Sequence, residues 1–233
     1  MDKQALRERI WDELEETGEA RFPFPPHGRI PNFAGAADAA DRLAGLDAWA
    51  AASAIKSNPD APQLPVRRAA LRQGKVVHMA VPRLREEQCF LRLDPAVIED
   101  TDDAATIGGA TDAGEPVHPE EMDDIDLIVS GSVAVTEAGA RVGKGEGYSD
   151  LEFAILRQFG LVDDDTTTVS TVHEMQVVEE EIAPGSHDVP MDLLVTPERA
   201  VETGASGEKP EGIDWDALSA EKIDEIPILQ QLR

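Results

Sequence analysis

Between Ala52 and Thr196 short apolar runs of strand character alternate with stretches of helical period, and this alternation constrains the fold more than any other feature of the chain. "ASAIKSN" (52–58), "KVVHMAVP" (75–82), "IDLIVSGSVAV" (125–135), "TTTVSTV" (166–172) and "MDLLVT" (191–196) read as strands, with "CFLRLD" (89–94) a further candidate. Val66 to Arg72 and Ser149 to Gln158 read as helices between them. Strand and helix in alternation build parallel β-α-β units, so the expected class is α/β: a central, mostly parallel sheet flanked by helices, Rossmann-like and three-layered. Ahead of it, Lys3 to Glu16 is an amphipathic helix, Arg21 to Asn32 with its four prolines is extended irregular chain, and Gly35 to Ala52 is alanine-rich helix. Ile98 to Asp124 is acidic and without period, which predicts an exposed loop insertion. We expect residues 1–203 to form the α/β domain and 204–233 a linker followed by a tail docking through Trp215, Leu218 and Ile228. No internal repeat is evident.

A formal charge of −26, from 47 acidic against 21 basic residues, argues against a nucleic-acid surface. The 41% apolar content argues equally against disorder, leaving a folded chain with a carboxylate-rich solvent face. A salt-rich, halophilic cytoplasm, where such charge is screened within about 3 Å at molar ionic strength, is the simplest setting. Stability that rises with KCl is the corresponding expectation. One cysteine, Cys89, cannot form an internal disulfide, and five scattered histidines contain no zinc-like pair. With a charged N-terminal segment and no apolar run of bilayer length, we expect a soluble cytoplasmic monomer without membrane partners.

Three segments carry candidate chemistry. In "RVGKGEGYSD" (141–150) Gly143, Gly145 and Gly147 stand at every second position, between a strand and a helix. The spacing matches neither the P-loop nor the dinucleotide fingerprint, so it is either a tight turn or a cradle whose backbone N–H groups approach an anion. Lys144 favours the anion. Asp150 is either the N-cap of the following helix or, beside a phosphate, a magnesium ligand. In "GSHDVPMDLLVT" (185–196), Asp188 and Asp192 can join Asp150 at a metal or serve as turn chemistry and a solvated carboxylate. Lys3 and Arg7 extend the apolar stripe of the first helix, either as snorkelling side chains or as positive points for an anion.

The K-x-x-L-R of Lys3, Leu6 and Arg7, the R-V-G-K-G-E-G-Y-S-D loop and "HDVPMD" (187–192), in that order, resemble the 5-formyltetrahydrofolate cyclo-ligase family, also called methenyltetrahydrofolate synthetase. "ARFPFPPHGRIPNF", "IKSNPDAPQLPVR" and "MAVPRLR" are most similar to its methenyltetrahydrofolate synthetase domain-containing branch. The resemblance implies an ATP- and Mg2+-dependent ring closure acting on a folate. It implies that Lys3 and Arg7 hold ATP phosphates, and that Gly143, Lys144, Gly145, Gly147 and Tyr148 wrap the nucleotide against the pterin. It implies further that Arg141 and Lys144 would neutralise charge in catalysis and that Asp150 and Asp188 would be the magnesium carboxylates. Two departures stand out. Ser149 replaces an aromatic, and Pro65 and Val66 stand where a substrate-contacting glutamate is usual, with no substitute evident in the sequence.

Overall fold

The computed structural model describes residues 2–205 and 208–233. The first helix, α1 (Lys3–Glu16), starts where the Asp2 carboxylate accepts from the Ala5 N–H, and it buries Leu6, Ile10, Trp11 and Leu14. A two-residue antiparallel pair, β1 (Ala20–Arg21) and β2 (Asn32–Phe33), brackets the proline-rich segment expected to be irregular. The alanine-rich stretch forms two helices, α2 (Ala36–Ala44) and α3 (Asp47–Ala51), because Gly45 and Leu46 close the first before the second begins.

A parallel unit follows: β3 (Ala54–Ser57), α4 (Leu64–Arg72) and β4 (Val76–Ala80). The strand β5 (Phe90–Leu93) runs back antiparallel to β4. The acidic segment is not a loop. It folds into α5 (Thr101–Ala104), α6 (Ile107–Ala113) and the edge strand β6 (Glu115–Val117). Its polar residues cap helices: Asp100 accepts from the Asp102 and Asp103 N–H groups, and Thr106 from that of Gly109. Meanwhile Ala104, Ala105 and Ala110 are buried, and their small size hides any strong apolar period.

The apolar run 125–135 also divides. The strand β7 (Leu127–Val129) joins the large sheet, whereas β8 (Ala134–Val135) pairs with β9 (Arg141–Val142) in a separate two-stranded sheet. The break falls at Gly131, where a Cβ would stand 2.9 Å from the Ile30 side chain. After the glycine loop come α7 (Tyr148–Gln158), β10 (Thr167–Thr171), β11 (Leu193–Val195), β12 (Ala200–Glu202), α8 (Ala220–Glu225) and α9 (Pro227–Leu232).

The eight-stranded sheet has the order β12-β11-β10-β7-β3-β4-β5-β6, and β11, β10, β7, β3 and β4 are mutually parallel. Alternate residues separate two apolar layers: Ile55, Leu127 and Val129 join Leu43, Trp49 and Leu71, while Ile128 joins Phe153, Leu156 and Leu194 on the α7 side. The chain leaves β3 for β4 on one side and later returns to β7 on the other. That reversal opens a crevice beyond the carboxyl ends of β3 and β7, the usual ligand position in such sheets. Residues 215–229 pack on the α7 layer, with Ile226, Ile228 and Leu229 fully buried and Trp215 and Leu218 partly so. No helix among the described residues is long and apolar enough to cross a membrane.

Candidate active site at the glycine loop

At the crevice lies a cavity of about 390 Å³. Its apolar wall includes Met79, Val81, Leu91 and, from α6, Ile107. Its polar side is formed by Asn58 and Asp60 after β3, Arg141 and Lys144 of the loop, and Asp150 and Glu152 of α7. The segment expected to be a loop insertion therefore walls the cavity.

Gly147, at φ +68°, is the N-cap of α7 and offers no side chain to it. Asp150 is the third residue of the helix, so the N-cap alternative is excluded. Its Oδ2 takes a hydrogen bond from Arg141 Nη2 at 2.6 Å and its Oδ1 one from the Val189 N–H at 3.0 Å, both partners being buried. Arg141 also donates to the Gly131 carbonyl. Tyr148 and Ser149 line the cavity, and the Ser149 hydroxyl lies within hydrogen-bond distance of Ser130 Oγ (3.2 Å) and Asn58 Oδ1 (3.3 Å). At the position of the absent aromatic stands a polar relay to the ends of β3 and β7.

Lys3, Arg7, Gly145 and Asp188 are not part of the lining of this cavity; Arg7 meets the loop at Gly143, and Lys3 meets Asp188. Arg7 Nε donates to the Gly143 carbonyl at 2.7 Å, and Gly145, at φ +107°, lies beside the Arg7 guanidinium, where a Cβ would make ordinary contact at 3.5 Å from Cζ. Burial lowers the pKa of Arg7 against the opposing charge of Asp2. Lys3 Nζ donates to Asp188 Oδ2 at 2.8 Å. Burial works against the Asp188 carboxylate, but that bond, the Gly185 N–H and the charges of Lys3 and His187 hold it below the usual carboxylate range. Asp192 keeps a partly solvated side chain, as the second alternative had it, but its Oδ2 also accepts from the Thr168 N–H and hydroxyl and from Lys209, which makes it a structural tie.

Two functional candidates escaped the sequence reading. Asp60, just before α4, is a carboxylate-bearing residue of the cavity lining that the sequence reading did not single out. Desolvation raises its pKa, opposed by the charges of Lys144, Arg67 and Lys56. Its signal was present: "NPD" (58–60) directly follows the strand whose carboxyl end opens on the crevice. Glu152 forms a buried ion pair with Lys56 on β3. A lysine inside an otherwise apolar strand was the clue to that pair. Lys144 is bound to Glu146 at 2.8 Å. Desolvation pulls its pKa down, but that bond and the charges of Asp60, Glu146 and Glu152 raise it overall.

Asp150 and Asp188 are neighbours through Val189, and each already holds one cation. Among the described residues no three His, Cys, Asp or Glu side chains converge. By donor type alone, two carboxylates completed by phosphate oxygens suit Mg2+.

A family model described as the 5-formyltetrahydrofolate cyclo-ligase family matches residues 1–197. The chain is 43% identical over 237 residues to the methenyltetrahydrofolate synthase domain-containing protein of Mus musculus, and 40% identical over 238 residues to that of Homo sapiens. These alignments take in all of this chain but only 63% and 62% of the relatives, so the chain spans less than two thirds of their length. Among solved structures, Aquifex aeolicus 5,10-methenyltetrahydrofolate synthetase superimposes with a TM-score of 0.55 at 20% identity, over 89% of this chain and 96% of that one. The likeness is one of fold.

Proposed function

Because the chain belongs to the 5-formyltetrahydrofolate cyclo-ligase family, we propose that it closes 5-formyltetrahydrofolate to 5,10-methenyltetrahydrofolate, using ATP and Mg2+ and releasing ADP and phosphate. The observation that carries this reading is the two-sided glycine loop. Arg7 meets the loop outside the cavity, with Lys3 of the same helix α1 paired to Asp188, while Gly143, Lys144 and Gly147 face a cavity with an apolar wall and a carboxylate-rich polar side. Such a division suits a triphosphate on one flank and a flat heterocycle on the other.

In the reaction the formyl oxygen attacks the γ-phosphorus and ADP leaves. The second folate nitrogen then attacks the activated carbon, loses its proton, and phosphate departs. The protein's work is alignment and charge neutralisation. Lys3 and Arg7 would hold the phosphates, and Lys144 and Arg141 would offset the negative charge that moves between the two flanks. Asp150 and Asp188 would hold Mg2+, which supplies neutralisation of phosphate charge when bound. Asp60 would accept hydrogen bonds from N–H groups of the heterocycle, and Met79, Val81 and Leu91 would exclude water from its face.

The test is to mix the protein with 5-formyltetrahydrofolate, ATP and Mg2+ in molar KCl and follow the absorbance of the methenyl product. Product with equimolar ADP supports the reading. The departures at Ser149 and at Pro65–Val66 favour a second reading, a non-catalytic binding homologue, which ATP binding without product would establish.

Asp60→Asn tests the cavity carboxylate through pH. The raised pKa means that the folded state holds the Asp60 proton more tightly than the unfolded chain does. Its contribution to stability is therefore present at and below the ordinary carboxylate pKa and is lost as pH rises through the raised value. Folate binding that needs the ionised carboxylate strengthens across the same window. In the asparagine variant both slopes should flatten, in melting midpoints and in the KM for folate. Unchanged profiles would remove Asp60 from the site.

A further inference from the structure

The family model ends at residue 197, yet the segment beyond it reaches the glycine loop. Lys222, on α8, donates from Nζ to the Glu146 carbonyl at 2.9 Å, and the same ammonium stands 4.6 Å from the centroid of the Tyr148 ring. A Cβ on Gly147 would be 3.7 Å from it. The chain has only six lysines, and two of them meet here, Lys144 within the loop and Lys222 bound to it. Lys222 is held there by a well-anchored segment: Ser219 caps α8 by accepting from the Lys222 N–H, and Ile223, Ile226, Ile228 and Leu229 are buried in the α7 layer.

Resting on the function proposed above, we propose that Lys222 is a positioning residue for the nucleotide, and that the loop is clamped from both ends of the chain, by Arg7 at Gly143 and by Lys222 at Glu146. The reason lies in peptide geometry. In a trans peptide the C=O and the following N–H point in opposite directions. A cation drawing the Gly143 carbonyl toward Arg7 therefore turns the Lys144 N–H away from Arg7, and one drawing the Glu146 carbonyl toward Lys222 does the same to the Gly147 N–H. The two ends of the loop are thereby fixed before any ligand arrives, and Tyr148 is held under the ammonium by cation–π attraction. The loop glycines supply no side chains to hold it, so a bond from outside is the means of ordering it.

The experiment compares Lys222→Met, which keeps the aliphatic stem, with Lys222→Arg, which keeps charge and donor. In the ligand-free protein, amide hydrogen exchange across residues 143–151 should quicken in the methionine variant and return toward wild type in the arginine variant, with exchange in β3, β7 and β10 unchanged. In turnover the methionine variant should raise the KM for ATP about tenfold, the loss of one charge-assisted hydrogen bond, with kcat changed far less. Unaltered loop exchange in Lys222→Met overturns the clamp. So does tighter ATP binding in that variant, which would make the ammonium an obstruction. A wild-type protein that neither binds ATP nor forms product defeats the proposed function instead, and loop exchange still decides the clamp.

Discussion

Lys56→Met should destabilise the protein by about 3–5 kcal/mol, because it leaves the Glu152 carboxylate buried without its partner. Lys56 lies on the central strand β3 with its side chain 1% exposed, and that of Glu152 is 6% exposed. In a chain of this size, about 2–4 °C of melting midpoint accompanies each kcal/mol, so the expected fall is on the order of 10 °C. Glu152→Leu should behave similarly, stranding the ammonium instead. The double variant Lys56→Met/Glu152→Leu should recover most of the loss, since an apolar pair of similar volume replaces both charges at little net cost. Thermal melts of the four proteins at one salt concentration make the test. Additive losses in the double variant would show that the two side chains act independently and that the pair is not the origin of the effect. The recovered double variant is informative about function too. Glu152 lines the cavity and its charge acts on Lys144, so a stable protein lacking the pair reports whether that carboxylate matters to the ligand.

Lys144→Met should lower kcat/KM by about 10²–10³, the usual effect of removing one preorganised charged donor from a site of charge transfer. The melting midpoint should scarcely move, because the Lys144–Glu146 pair is more than a third exposed and such pairs contribute at most about 1 kcal/mol. A raised pKa keeps Lys144 charged throughout the neutral range. An alkaline limb in the activity profile below the ordinary lysine pKa therefore belongs to another group, and Lys144→Arg should preserve much of the rate. Loss of stability in parallel with loss of rate would reassign Lys144 to a structural role.

Asp150 shows why some of the site was not legible in the sequence. A carboxylate near the start of a helix reads as a cap or a metal ligand, and nothing local distinguishes the two. The structure adds a third role, the buried partner of Arg141, and this changes what a substitution means. Asp150→Asn leaves a buried guanidinium facing an amide, so its effects mix stability with any effect on metal. Asp188, half-buried and held by Lys3, is the cleaner position for a magnesium test. The insertion 98–124 was misread for a different reason. Its helices are short, and alanine and glycine bury little surface, so periodicity carries almost no signal there.

What the sequence determined alone is the architecture and the order of the motifs. Strand and helix periods are set by residues within a few positions of one another, so alternating β-branched runs and helical stretches were sufficient to specify a mostly parallel sheet with layers on both faces. Which charge meets which is a different matter. Lys3 finds Asp188 across 185 residues, Arg7 finds the Gly143 carbonyl across 136, and Lys222 finds the Glu146 carbonyl across 76. These pairings are made by chain segments that meet only after the sheet has assembled. Local spacing holds no record of them, so tertiary structure alone decided that both ends of the chain converge on one glycine loop.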